Sequence, residues 1–150
     1  MKKFLTSLFA VALIFAATAR ANAQDYSTAV GVNLGPAMGI SAKHFISARS
    51  AIEAGFSYNI GADAPMVAAV YQYHIPLASQ FNLYVGGGIN IGAIRVDRNS
   101  EFAFGLDPTI GFEYAFPSAP IAIAIDYKPA INLNCATLWD EVAFKVRFKF

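Results

Sequence analysis

Residues 142–150 alternate strictly between apolar and cationic or small side chains. Val142, Phe144, Val146, Phe148 and Phe150 take one set of alternate positions, and Ala143, Lys145, Arg147 and Lys149 take the other. Successive side chains of a β-strand point to opposite faces, so a strand gives this segment one apolar face and one cationic face. A helix would place Lys145 and Lys149 beside the aromatic residues, so it would not separate the apolar side chains from the cationic ones. The pattern predicts a β-strand.

The same period of two recurs from Gln24 onward, so the chain divides into eight alternating runs. They are 26–34, 38–46, 52–60, 67–75, 81–93, 102–116, 121–131 and 142–150. Most are close to the roughly 9–11 residues that a tilted strand needs to cross a bilayer. One face of every run lacks Lys, Arg, Asp and Glu, and His44 is the one side chain on it that titrates near neutral pH. A Lys or Arg there would cost roughly 2–4 kcal/mol at the centre of a membrane.

The opposite face consists mostly of Gly and Ala with a few charges, which suits a narrow enclosed interior better than open water. The composition agrees, because the chain is 56% hydrophobic and 14% charged, against about 45–50% and about 25% in soluble domains. After residue 20, no uninterrupted apolar run reaches the roughly 18 residues of a membrane helix. We therefore predict an all-β fold over residues 24–150: a closed, antiparallel, up-and-down, eight-stranded transmembrane β-barrel.

Residues 1–23 have the pattern of a cleavable signal peptide. Lys2 and Lys3 precede an apolar stretch from Phe4 to Ala19, and Ala21-Asn22-Ala23 fits a small-x-small cleavage site. Removal of this segment leaves eight cationic and ten anionic residues, and nothing in that balance indicates nucleic acid binding. Cys135 is the one cysteine, so an intramolecular disulfide is impossible and a thiolate metal site is disfavoured.

The connections between runs alternate in length. The segments 47–51, 76–80 and 117–120 are short, whereas 61–66, 94–101 and 132–140 are longer, and 35–37 is a short exception among the second set. Short turns are typical of the periplasmic side of outer-membrane barrels, so both ends of the barrel domain are expected there. Pairing of Phe116 with Ile121 across 117–120 places Pro108 opposite Pro129. Since Pro cannot donate to the ladder, we expect one shared irregularity, such as a bulge, near the outer rim.

The inward positions collect the polar residues. The predicted structural network of the lumen comprises Glu53, Gln72, His74, Asp107, Glu113, Asp126, Lys128, Lys145 and Arg147, with Lys43, Asn82 and Lys149 on the same face. Buried charges need partners, so Glu113 and Asp126 are expected to pair with Lys145 and Arg147. Eight-stranded barrels are just wide enough to be filled by side chains, which favours packing over solute selectivity.

Enzymatic and metal sites are not predicted, and no cofactor is expected. His44 and His74 lie toward the periplasmic ends of their strands, with His44 facing lipid or the interface and His74 facing inward opposite Asn82. Neither has a Ser-Asp partner at the outer rim. The run Gly86-Gly87-Gly88 is followed by no Lys-Ser/Thr and opens no helix, so it indicates strand curvature or close packing rather than a phosphate loop.

Aromatic residues are expected at both membrane interfaces. Trp139 falls at the outer end, and a periplasmic girdle is predicted from Tyr26, Tyr73, Phe81, Tyr114, Phe116, Phe148 and Phe150.

The mature part of the chain resembles the small outer-membrane barrels of the OmpA/OmpX type. The resemblance rests on three segments: Val-x-Phe-x-Val-x-Phe-x-Phe at 142–150, Gly-Phe-Glu-Tyr-x-Phe at 111–116 and Asp-Tyr-Lys-Pro-Ala-Ile-Asn at 126–132. The resemblance implies a location in the outer membrane, contact with its lipids, and insertion by the barrel-assembly machinery. That machinery would read the signal formed by Val142, Phe144, Val146, Phe148 and Phe150.

The resemblance also implies a non-enzymatic structural or surface-interaction role without identifying a ligand. Two alternatives stay open at this point: a narrow channel for ions or small solutes, and a soluble, lipocalin-like periplasmic binding barrel.

Overall fold

The computed structural model describes residues 26–78 and 80–150, and the expected signal peptide at 1–23 lies outside them. These residues form ten β-strands. They are β1 (Thr28–Leu34), β2 (Ala37–Phe45), β3 (Ser50–Asn59), β4 (Ala64–Pro76), β5 (Phe81–Val96), β6 (Asn99–Leu106), β7 (Thr109–Ala115), β8 (Ile121–Tyr127), β9 (Ile131–Asn132) and β10 (Val142–Lys149). In this part of the chain no helix has the length and apolar character needed to cross a membrane.

The ten β-strands make a closed antiparallel barrel whose wall consists of eight barrel strands. β6 and β7 together form the sixth barrel strand, and β8 and β9 form the seventh, because each pair continues along the same neighbours. β1 pairs with β2 on one side and with β10 on the other, which closes the cylinder. The all-β, up-and-down, eight-stranded prediction is confirmed.

The two strand breaks face each other at Pro108 and Pro129. Below them Ile110 pairs with Tyr127, and above them Leu106 pairs with Ile131. The predicted register across 117–120 is therefore correct, and the prolines share one irregularity. It is a gap in the ladder and not a bulge, because the register is the same on both sides of it.

The distribution of side chains is inside out relative to a soluble protein. The largest fully buried side chains are polar or charged, and Arg147, Tyr84 and Lys43 have the greatest volume among them. Most of the large apolar side chains on the outer face are exposed, and Ile89 and Phe102 reach 62%. His44 also faces outward, with its Nδ1 2.9 Å from Thr28 Oγ1. The predicted orientation of the faces is thus confirmed, and a barrel of this kind suits an apolar medium.

The connection predicted at 94–101 is not a long loop. β5 and β6 continue as a regular hairpin to Val96 and Asn99, and the turn consists of Asp97 and Arg98, both with positive φ (47° and 74°). The alternation continues through this hairpin because Ile94 and Ala103 point inward. The segment 94–101 contains no Gly that would indicate a tight turn, and its polar residues led to the prediction of a longer loop.

The connection between β9 and β10 folds over the mouth of the barrel opposite Thr28 and Lys149, here called the outer mouth. Leu138 forms a bridge with Ala130 and packs with Met66, Ile94 and Ala103 in a small apolar cluster. Asn134 extends the edge of β6, since its side-chain amide accepts from Phe104 N and donates to Phe102 O. The outer end of the barrel is therefore covered by its own chain.

Candidate functional site in the barrel lumen

Six charged side chains form a continuous network inside the barrel, here called the lumen network. Its members are Lys43, Glu53, Glu113, Asp126, Lys145 and Arg147, all of them buried. β-strand alternation brings them inward, because each occupies the lumen-facing position of its strand.

Arg147 lies at the centre of the lumen network. Its Nη1 is 2.9 Å from Glu113 Oε2, and its Nη2 contacts Glu53 Oε2. Lys145 Nζ lies 2.6 Å from Glu53 Oε1 and 2.6 Å from Asp126 Oδ2. The structure therefore brings Glu113 to Arg147 and Asp126 to Lys145. It also adds Glu53 as an acceptor for Lys145 and Arg147.

The network crosses the full width of the barrel. Lys43 Nζ on β2 lies 2.9 Å from Glu113 Oε2 on β7, and these two strands stand on opposite walls. Contacts from β10 to Glu53 on β3 cross the lumen in another direction. The side chains consequently obstruct the lumen at this level.

The lumen network is balanced, with three cations facing three carboxylates. Removing such charges from water costs several kcal/mol per ion, which attraction offsets only where geometry and further hydrogen bonds are good. Neutral donors supply those bonds. Tyr26 Oη donates to Glu113, Tyr84 Oη donates to Asp126 Oδ2 at 2.8 Å, and Gln72 Nε2 donates to Glu53 Oε2 at 3.1 Å.

His74 lies on the side of the network nearer to Thr28 and Lys149, the residues at which β1 begins and β10 ends. Its Nε2 is 3.4 Å from Lys43 Nζ, and its ring stacks on Tyr84 and packs against Phe45. His74 pairs with Tyr84 and not with Asn82, which was the predicted partner. The error is two residues and follows from the tighter turn between β4 and β5, where Pro76 pairs with Asn82.

A second polar group lies nearer the outer mouth. Lys128 Nζ is 3.1 Å from Asp107 Oδ2, and Asn90 Nδ2 donates to the other carboxylate oxygen. Glu141, in the connection before β10, accepts from Asn59 Nδ2 at 2.9 Å. Burial raises the pKa of the Glu141 carboxyl, since its charged form is desolvated there.

The space left between the two polar groups is small. A cavity of about 30 Å³ is lined by residues that include Asn33, Ser41, Asp126 and Glu141. A water molecule needs roughly 10–15 Å³ of such volume. The cavity has room for a couple of waters and not for a sugar or an amino acid.

Tyr26 was predicted in the outward periplasmic girdle, and this is wrong. It is 8% exposed, points into the lumen, and its ring meets Phe45 edge to face at 5.1 Å. Tyr26 precedes β1, so the strict alternation of the strand does not extend to it. The other six girdle residues are on strands or their ends, and the exposed Phe81, Phe148 and Phe150 lie outward.

Tyr84 also belongs to the polar network, through its bond to Asp126, and was predicted on the inward face but not as a member of the network. Asn82 lies at the start of β5 and Lys149 at the end of β10, where Lys149 Nζ donates to Phe116 O at 2.7 Å. Of the residues the structure describes, no three His, Cys, Asp or Glu side chains are grouped to hold a metal ion. Cys135 is a free thiol in the outer connection.

An eight-stranded closed barrel with an apolar exterior and a charged, filled lumen defines the fold of the small outer-membrane β-barrels. The chain is similar to the crystal structure of the N-terminal β-barrel domain of Pseudomonas aeruginosa OprF, with a TM-score of 0.61 and 14% identity over 85% of this chain and 98% of that one. It is also similar to Neisserial surface protein A (NspA), with a TM-score of 0.54 and 18% identity over 82% and 93% of the two chains. No protein-family model and no curated protein matches the chain. At these identities the comparisons establish the fold, and they confirm the resemblance at that level.

Proposed function

We propose that the protein is a non-enzymatic, integral outer-membrane β-barrel with a structural or surface-interaction role and a lumen closed by its own side chains. The observation that carries this proposal is the lumen network, in which Lys43 and Glu113 join opposite walls. A pore or a binding cavity at this level would require those buried pairs to separate, and each separated charge would lose its partner at large cost.

The exterior supports residence in a lipid bilayer. Apolar side chains are exposed on every barrel strand, and a soluble lipocalin-like barrel would carry its polar residues there instead. The similar folds of known outer-membrane barrels favour the outer membrane over other bilayers. Lipid of that membrane is the partner this surface fits.

We further propose that β10 carries the signal for insertion by the barrel-assembly machinery. Val142, Phe144 and Phe148 face outward at 44–50% exposure, with Val146 and Phe150 on the same face. β10 pairs with β1, so the barrel closes only when this strand is in place. The signal peptide expected at 1–23 would direct export to the periplasm before this step.

Cell fractionation tests the location. We expect the protein in the outer-membrane fraction, with faster migration on a semi-native gel before heating than after it, since a folded barrel resists detergent. A soluble periplasmic protein that stays monodisperse without detergent would overturn the proposal.

Liposome swelling and planar-bilayer conductance test the closed lumen. We expect no swelling by small sugars and no steady conductance from the purified barrel, with a general porin as the positive control. Steady conductance that depends on the charge of Lys43 or Arg147 would instead favour the narrow channel.

A further inference from the structure

The gap between Pro108 and Pro129 removes two specific hydrogen bonds from the wall. In the seam between the sixth and seventh barrel strands, Phe116 N donates to Ile121 O, and Leu133 N donates to Phe104 O. Bonded pairs recur at every second residue of an antiparallel seam, so Pro108 and Pro129 occupy a bonded position. Neither proline has an N–H, so each carbonyl faces a partner that has no donor.

Both segments remain bonded on their other sides. Asp107 exchanges both backbone hydrogen bonds with Gly88, at 3.1 Å and 3.0 Å, and Lys128 N donates to Glu141 O at 2.9 Å. The gap is therefore local to the seam and is not the frayed end of a sheet.

The gap opens onto the apolar outer face of the barrel. An open hollow of about 260 Å³ lies over it, lined by Val85, Gly86, Pro108, Thr109, Ile110, Tyr127 and Pro129. Regular pairs with outward apolar side chains lie above and below, so the hollow is set within the lipid-facing wall. An enclosed apolar cavity of roughly 150 Å³ holds benzene, so this volume suits a segment of hydrocarbon chain.

Hydrocarbon alone leaves the two carbonyls without a donor, and an unsatisfied backbone group in lipid costs several kcal/mol. We propose that the hollow binds an acyl chain that carries a hydroxyl group, from a lipid of the surrounding leaflet. The chain fills the apolar lining, and its hydroxyl donates to the carbonyl of Pro108 or Pro129. This inference rests on the proposed residence of the barrel in a membrane.

Native mass spectrometry of the detergent-solubilised, heat-modifiable barrel tests the inference. The probes are a β-hydroxy fatty acid and the unsubstituted fatty acid of the same length. We expect the barrel to retain one molecule of the β-hydroxy fatty acid, about fivefold better than the unsubstituted fatty acid. This ratio corresponds to one net hydrogen bond.

The double variant P108A/P129A restores both N–H groups, so the ladder can close and the preference for the hydroxylated chain should disappear. Pro65→Ala is the matched control, because it restores an N–H at the outer end of β4, away from the hollow. If the double variant fails to fold, Gly87→Leu replaces it. Gly87 lies beside Pro108, and a Cβ added to it would meet open space, so Leu adds bulk at the hollow and should reduce retention of both probes.

Equal retention of both probes by the wild type, or a preference that survives P108A/P129A, would overturn the inference. A dimer that Gly87→Leu dissociates would also overturn it, since the occupant would then be a second copy of the chain. Each of these results would leave heat-modifiable migration unchanged, so the proposed membrane location would still stand.

Discussion

Lys43 and Glu113 face each other across the barrel, with 2.9 Å between Lys43 Nζ and Glu113 Oε2 and both side chains fully buried. They belong to strands on opposite walls, so this pair ties the cylinder across its width. Arg147 shares the same carboxylate oxygen at 2.9 Å. The stability of the barrel should therefore depend on a few side chains that touch no lipid.

Removal of the central cation should destabilise the barrel strongly. Arg147→Met leaves Glu53 and Glu113 with less positive charge in a buried site, and breaking such a group costs about 3–5 kcal/mol. Urea unfolding in detergent micelles, followed by the fluorescence of Trp139, measures the loss. Arg95→Met is the control, because the Arg95–Asp63 pair at 2.7 Å is largely exposed and should contribute about 1 kcal/mol or less. Equal losses in the two variants would contradict a special role for Arg147.

The hydroxyl of Tyr26 should matter more than those of the interfacial tyrosines. Tyr26→Phe removes a donor to the buried carboxylate of Glu113, and hydrogen bonds to charged groups contribute about 1.5–3 kcal/mol. Tyr114→Phe serves as the comparison, since its hydroxyl is 3.5 Å from Gln80 Oε1 and should contribute less than about 1 kcal/mol. The urea midpoints of unfolding of the two variants measure these losses, and the midpoint of Tyr26→Phe should be the lower. A midpoint for Tyr26→Phe equal to that of the wild type would show that the hydroxyl is dispensable.

Neighbouring glycines of β5 should respond in opposite ways to alanine. A Cβ at Gly88 would overlap the carbonyl oxygen of Ala69 on β4, whereas a Cβ at Gly87 would meet nothing within 4 Å. We expect Gly88→Ala to destabilise the barrel by about 1–3 kcal/mol. Gly87→Ala should be neutral or stabilise it by up to about 1 kcal/mol, because Gly within a strand is entropically unfavourable. Unfolding temperatures from gel-shift assays measure both, and the reverse order would refute the close packing of β4 on β5.

Glu141 should make stability depend on pH. Burial raises the pKa of this carboxyl, so the native state favours its protonated form. Stability from this group is fully present below the ordinary pKa of a glutamate and is lost as the pH rises through the raised value. Glu141→Gln resembles the protonated form and should remove that loss. Its unfolding temperature should exceed that of the wild type by a margin that grows across a range of pH above the ordinary pKa of a glutamate, about 4.3. Asp140→Asn, at the exposed neighbour, is the control, and a constant difference across this range would contradict the burial argument.

The alternation of side chains was sufficient to assign the inner and outer faces. Strand geometry is local, so inward positions such as Glu53 and Arg147 follow from the period of two once a strand is recognised. The register of the seam at Pro108 and Pro129 followed in the same way from one short turn. These parts of the fold depend on contacts between residues close in sequence.

Which charges meet across the lumen depended on the tertiary structure, because strand tilt and stagger set the height of each residue in a closed barrel. Only closure of the barrel brings Glu53 to Arg147 or Lys43 to Glu113. Tyr26 turned inward because it precedes β1, and the β5–β6 turn required left-handed conformations at Asp97 and Arg98 that side-chain type does not reveal. The sequence by itself determined which side chains avoid lipid, and the tertiary structure decided how those side chains neutralise one another, since that depends on distances between residues far apart in the chain.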